Sequence, residues 1–276
     1  MKERPEEGLI GIFDSGFGGL NILRGIIKEL PEYGYVYLGD TARVPYGSRS
    51  KEVVYEFTRQ AVSFLFKKNC EIIIIACNTA SSDALRKLQR EYLPENHPSK
   101  KILGVLIPAS EEAVRKTKNK KIGVIATEGT VLSESFPREL LKLCPEAMIY
   151  QKACPLLVPI VESGEHNSKI ADLAIGKYLK ELRKKKIDTL ILGCTHYGIL
   201  ENKIRKIVGK NVKVISENKA VPKKLRTYFE RHKEIENRLG KNEIRRFYST
   251  DLTEKFQILG KKFFGKSIKV ERVELV

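Results

Sequence analysis

Two cysteines stand where a chain can put a thiol to chemical use. Cys77 closes the aliphatic run 72–76 and leads into Asn78-Thr79, while Cys194 closes the run 190–193 and leads into Thr195-His196. A short aliphatic run followed by amphipathic spacing reads as a buried parallel strand feeding a helix. The helices are expected over 80–89 and 197–207. Each thiol therefore falls at the carboxyl end of a strand, where open α/β sheets hold their ligands. A single cysteine in such a place is more often a small core residue. A pair in matching settings, each flanked by hydrogen-bonding groups, points to a site with one thiol on each side. The helix start behind each sulfur is expected to lower its pKa. Cys70 and Cys144 lack such neighbours and read as core residues, whereas Cys154 lies in the turn Ala153-Cys154-Pro155 with Glu162 further along the same loop.

The elements that must position these thiols repeat. The strand expected at 9–13 ends in Asp14-Ser15-Gly16, and that at 121–126 ends in Thr127-Glu128-Gly129-Thr130. The strand at 35–39 precedes Asp40, and that at 147–152 precedes Cys154. Counting along the chain, Asp14 lies 113 residues before Thr127, Asp40 lies 114 before Cys154, and Cys77 lies 117 before Cys194. Three nearly equal offsets imply two halves of like topology, with chance likeness among strand–helix units as the plainer alternative. Strands are expected near 8–13, 34–39, 71–76 and 102–106, then near 121–126, 147–152, 188–193 and 212–216. Helices lie between, over 19–29, 50–68, 170–184 and 221–233, and a surface loop over 94–99. This alternation predicts an α/β protein of two pseudo-symmetric domains. Each is a mostly parallel sheet flanked by helices, and the paired thiols point to an active site in a cleft between them. The first domain is drawn as 1–100 plus 216–276 and the second as 101–215, with the last sixty residues returning to pack on the first half.

Bulk properties narrow the chemistry. The chain of 276 residues is 42% hydrophobic and 31% charged, as expected of a globular protein with real cores. No apolar stretch approaches the roughly 20 residues needed to cross a bilayer. The N-terminus, Met1-Lys2-Glu3-Arg4-Pro5-Glu6-Glu7, has no apolar centre, so a signal peptide is not expected. Five cysteines then read as reduced thiols in the cytoplasm. The four histidines are scattered and no CxxC occurs, so neither a zinc site nor any other metal is expected. The net charge of +17 would attract nucleic acid. Yet the basic runs at 118–121, 183–186, 223–224 and 261–262 fall at helix ends or turns with few aromatics. They read as solvated faces of a chain rich in Lys, Glu and Ile, and nucleic acid is not the expected partner.

Asp14-Ser15-Gly16-Phe17-Gly18-Gly19 looks at first like a dinucleotide fingerprint, but Asn21 stands where the third glycine should be and no Walker lysine follows. It reads instead as a tight turn whose backbone N–H groups face an anion at a helix start, with Asp14 and Ser15 projecting into a cleft. The loop Gly39-Asp40-Thr41-Ala42-Arg43-Val44-Pro45-Tyr46-Gly47 offers a rigid Pro-Tyr-Gly turn whose amide and phenol suit a carboxylate.

Taken together and in this order, Asp-Ser-Gly-x-Gly-Gly, Gly-Asp-Thr-Ala-Arg-x-Pro-Tyr-Gly, Ala-Cys-Asn-Thr-Ala and Gly-Cys-Thr-His-Tyr resemble the cofactor-independent aspartate/glutamate racemase family. The resemblance runs from about Leu9 to the C-terminus. It implies interconversion of L- and D-glutamate without any cofactor, in support of peptidoglycan synthesis, with Cys77 and Cys194 as the two catalytic acid/bases. It further implies Asp14 and His196 as their proton partners and Glu162 as an assisting acid. The substrate contacts it implies are Asp14, Ser15, Tyr46, Gly47, Asn78, Thr79, Thr127, Thr130, Thr195 and His196. Members of this family that act on glutamate are often homodimers. His after Cys-Thr favours glutamate, since relatives acting on aspartate usually carry Glu there; aspartate stays the alternative substrate. A nucleic-acid-associated role or a thiol-redox role are the readings of other classes. Two departures stand out: Gly198 replaces the usual Pro, and Ser216-Glu217 replaces the usual Asp-Ser, which bears on local packing or closure.

Overall fold

The computed structural model describes residues 7–276, so the first six residues of the polar N-terminus lie outside it. Among the described residues, ten strands alternate with helices: β1 Leu9–Asp14, β2 Tyr35–Gly39, β3 Cys70–Ile75, β4 Lys101–Gly104, β5 Lys121–Ala126, β6 Met148–Ala153, β7 Thr189–Gly193, β8 Lys213–Ile215, β9 Arg245–Ser249 and β10 Glu271–Arg272. They form two sheets, of order β10-β9-β2-β1-β3-β4 and β6-β5-β7-β8, paired in parallel throughout. Laid side by side, β2-β1-β3-β4 and β6-β5-β7-β8 are the same arrangement. The repeating offsets in the sequence thus correspond to a repeated sheet.

Parallel strands covered by helices on both faces must be apolar on both, and β1, β2 and β7 are buried along their whole length. The chain leaves β1 toward β2 on one side and returns to β3 on the other, which opens a crevice at the carboxyl ends of β1 and β3. Register keeps those ends level. Phe13 pairs with Ile75 and Asp14 with Gly39, while Ala126 pairs with both Gly193 and Ala153. Asp14, Asp40 and Cys77 therefore leave one sheet at one edge, and Thr127, Cys154 and Cys194 leave the other likewise.

Three differences from the sequence reading bear on the architecture. The strand Lys101–Gly104 pairs with β3, Ile72 opposite Lys101 through Ile75 opposite Gly104. A boundary drawn between residues 100 and 101 therefore cuts off the edge strand of the first sheet. Residues 94–99 are not all loop: the helix Leu93–Asn96, which carries Pro94, continues directly from the wider helical turn Leu88–Tyr92. The helix expected from 221 already starts at Glu217 and runs through Pro222 to Arg231. Pro222 cannot bond the carbonyl of Asn218, and that carbonyl turns toward the helix Gly19–Glu29, where a Cβ on residue 25 would lie 2.3 Å from it. The C-terminal segment returns as expected: β9 adds to β2, Tyr35 opposite Arg245.

The basic runs meet acids or turns rather than forming one face. Lys120 pairs with Glu146 at 2.6 Å, and Lys224 pairs with Glu111 at 2.7 Å across the two halves. Exposed pairs of this kind add little stability each.

Gly25→Ala tests the close helix crossing. The added methyl has backbone in its way, so overpacking of about 1–3 kcal/mol is expected to outweigh the roughly 1 kcal/mol gained in helix propensity. Chemical denaturation should show a lower midpoint; an unchanged or higher one would mean the helices have room.

Candidate active site

The turn after β1 is built around its own acid. Asp14 is fully buried, and its Oδ2 accepts the Gly16 N–H at 3.0 Å. Gly19 donates a further backbone bond to the same carboxyl. The N–H groups expected to face a ligand anion are therefore spent on Asp14. Tyr37 pins the turn from below, its hydroxyl donating to the Gly16 carbonyl at 2.8 Å. The other half reaches this turn directly, because the Thr195 hydroxyl donates to Asp14 Oδ1 at 3.4 Å. Gly18 lets it in: a Cβ there would stand 2.1 Å from Thr195 Oγ1 and 2.9 Å from its carbonyl carbon.

Two clusters meet across that contact. In the first, the Ser15 hydroxyl donates to Cys77 Sγ at 3.3 Å, and Cys77 directly precedes the helix Asn78–Asp83. In the second, Cys194 Sγ lies 4.0 Å from His196 Nδ1, and His196 Nε2 lies 3.2 Å from Glu162 Oε1. The thiol, the imidazole and the carboxyl form a line leading outward from a buried sulfur to a half-buried acid. The edge of the Phe263 ring closes over His196 with centroids 5.4 Å apart.

A hydroxyl cluster joins the halves on another side. Thr79 Oγ1 lies 3.0 Å from Thr127 Oγ1 and 3.5 Å from Thr130 Oγ1. Thr127 also caps the helix Glu128–Leu132, accepting the Thr130 N–H. Gly47 packs on Thr127, where a Cβ would come within 2.9 Å. The Tyr46 phenol does not face the cleft. It is buried and donates to Asp40, which also takes the Arg43 Nε–H at 2.7 Å. The Pro-Tyr-Gly turn therefore offers backbone, not phenol, to a ligand.

A cavity of about 430 Å³ opens beside these groups, with Val44, Gly47, Thr127, Cys154 and Glu162 in its walls. The two thiols lie outside those walls, only 6% and 7% exposed. Burial decides their chemistry. Desolvation pushes Cys77 up to about 11, with the nearby Asp14 adding to the shift and the Ser15 bond opposing it. Cys194 is driven well above the ordinary thiol range, again by burial, although the backbone N–H of His196 opposes. The lowering expected from the helix starts is overridden, because a few aligned amides do not replace bulk water around a sulfur anion. Desolvation likewise raises Asp14, against the pull of His196.

Every residue singled out in the sequence thus lies in or beside this cleft, Tyr46 by its backbone turn alone. Sequence reasoning missed three others. Gly18 and Phe263 matter only through contacts between distant segments, and no spacing signals them. Glu217 sits opposite Asn78, its Oε2 accepting the amide N–H at 2.9 Å; the unusual Ser216-Glu217 pair was the available signal.

With the geometry in place, comparison identifies the lineage. Residues 18–224 match the family model for Asp/Glu/Hydantoin racemases. The chain is 42% identical over 267 residues to a glutamate racemase of Sulfurihydrogenibium sp., covering 96% of this chain and 97% of the relative. Its backbone superposes on the crystal structure of glutamate racemase isoform RacE1 from Bacillus anthracis with a TM-score of 0.89, at 36% identity and covering 97% and 98% of the two chains. It also superposes on glutamate racemase from Francisella tularensis in complex with D-glutamate, with a TM-score of 0.86, at 32% identity over 97% and 98%. The chain belongs to the Asp/Glu/Hydantoin racemase family and is thus an isomerase. Among the described residues no helix is long and apolar enough to cross a membrane.

All five thiols are free, and burial lifts each above the ordinary value of 9.0. The ligand-free protein should therefore show almost no thiolate absorbance at pH 8. A folded-state pKa above the unfolded one stabilises the fold fully below pH 9.0, and that contribution is lost as pH rises through about 11 for Cys77. A thiolate band from the native protein at pH 7 would contradict this account.

Proposed function

We propose that the protein interconverts L- and D-glutamate by passing the α-proton between two thiols, Cys77 and Cys194, without a cofactor. One observation carries the reading: each sheet delivers one buried thiol to the same crevice, and each thiol has its own acid–base neighbour. Inversion at a carbon held in place is served by a base on one face and an acid on the other. A pair of like bases in near-equivalent settings suits a reaction whose substrate and product are mirror images.

Substrate binding tips one thiol to thiolate, its proton leaving toward solvent through its neighbours. That thiolate removes the α-proton, while the other, still a thiol, donates to the opposite face. Afterwards the two have exchanged protonation states, and return of a proton as the product leaves restores the two neutral thiols. Following the family resemblance, Cys194 takes the proton from L-glutamate and Cys77 takes it from D-glutamate. Ser15 and Asp14 serve Cys77, and His196 with Glu162 serves Cys194 and carries its proton toward the cavity. The α-ammonium of the substrate supplies a positive charge that favours the thiolate against desolvation. Hydrogen-bond donors at Asn78, Thr79 and Thr195 meet the charge that develops beside the α-carboxylate, in a site with little water to compete. Thr127, Thr130 and the backbone at Tyr46 and Gly47 complete the substrate contacts, between a domain of residues 7–104 plus 216–276 and one of 105–215. On this reading the D-glutamate feeds peptidoglycan precursor synthesis in the cytoplasm. The resemblance extends the reading to a homodimer, which light scattering measures.

Circular dichroism follows the test: L-glutamate alone should lose its optical activity in the presence of the protein, and aspartate should react far more slowly. Cys77→Ser and Cys194→Ser should each cut kcat/KM by roughly 10²–10⁴-fold, since a serine hydroxyl is a much poorer base. A variant racemising at the parent rate would remove that cysteine from the mechanism.

A further inference from the structure

Glu217 is the most conspicuous group in the cleft that the two-thiol scheme leaves without work. It begins the helix Glu217–Arg231 directly after β8, and it is only 4% exposed. Its Oε2 accepts the Asn78 amide at 2.9 Å, and its Oε1 is buried with no hydrogen-bond partner. Asn78 Oδ1 is equally buried and also lacks a partner. An acidic residue in the first turn of a helix is ordinarily favourable, but that benefit is available to an exposed carboxylate. It does not account for sealing a carboxyl in a dry pocket, where an uncompensated charge is costly.

We propose that Glu217 is a positioning residue for the racemisation, its buried carboxyl holding one end of the Asn78 amide so that the other end is presented to the substrate. The proposal rests on the reading of this cleft as the racemisation site. Asn78 follows Cys77 directly, so a rotated amide would alter the contacts beside the reacting carbon. A primary amide has a donor end and an acceptor end, and a free one turns to suit its surroundings. Bonded to Glu217 through Nδ2, it keeps Oδ1 unspent for a donor such as the substrate ammonium. Desolvation and the nearby Asp14 both favour the neutral carboxyl, with the Asn78 bond opposing. A neutral carboxyl carries a donor and an acceptor, so it also serves the amide when reversed and offers its N–H groups to a carboxylate. Glutamine has the same shape and the same two functions, whereas leucine has neither.

Three variants measured on L-glutamate test this. Glu217→Leu should lower kcat/KM about tenfold or more while thermal unfolding still shows a folded protein, the size expected when a buried charge-capable bond is lost. Glu217→Gln should restore activity to within about threefold of the parent. Added to Asn78→Ala, Glu217→Leu should cost less than about a further twofold, since a group acting through Asn78 has nothing left to position. If the leucine variant does not fold, Glu217→Ser replaces it under the same thresholds. Independent, multiplying losses in the double variant, or a glutamine variant as poor as leucine, would overturn the assignment. So would a leucine variant with parent activity. A parent protein that fails to racemise glutamate would instead remove the underlying reading, and the positioning role with it.

Discussion

Desolvation where the two sheets meet governs the protonation of four groups in this cleft. Cys77, Cys194, Asp14 and Glu217 are all buried, and burial is the largest influence on each, always toward the neutral form. A thiol ionised at rest would be held by a nearby cation or by water, and the described residues place neither lysine nor arginine against these sulfurs. The resting site is therefore a set of poised acids. Only a ligand that brings its own charge tips one of them, which ties proton abstraction to a bound substrate.

The dryness depends on how closely the halves approach. Gly18 admits Thr195 to the Asp14 turn, Gly47 admits Thr127, and Thr79 meets Thr127 and Thr130. These contacts come from the strand ends themselves, so the repeated sheet that presents the thiols also seals them. The symmetry stops at the side chains. Cys77 is served by a serine and a buried aspartate, Cys194 by an imidazole and a half-buried glutamate. Under the proposed mechanism, a site for mirror-image ligands therefore works with two different proton partners.

Much of this was legible in the sequence, for a physical reason. A strand buried on both faces must be aliphatic, and the first polar residue after it marks the strand end, so Asp14, Cys77, Thr127 and Cys194 announced themselves. The equal offsets then predicted the matching sheet orders. What stayed hidden depends on distance in space. Gly25 read as an ordinary helix glycine and Gly18 only as part of a turn, until a segment from elsewhere arrives beside each. The Tyr46 phenol read as a ligand group because nothing in its neighbourhood reveals that Asp40 takes it. The lowered thiol pKa failed since helix starts are visible in sequence whereas the depth of burial is not. The edge strand Lys101–Gly104 was found as a strand, but its sheet follows from pairing, which the domain boundary misjudged.

The central claim is that two thiols work from opposite faces of one carbon. The direct measurement is the early distribution of deuterium when L-glutamate is racemised in deuterated water. Two separate acid/bases put solvent deuterium into the D-glutamate formed while the remaining L-glutamate stays unlabelled. Equal early labelling of recovered substrate and product would mean that a single group serves both faces, and the account would be wrong.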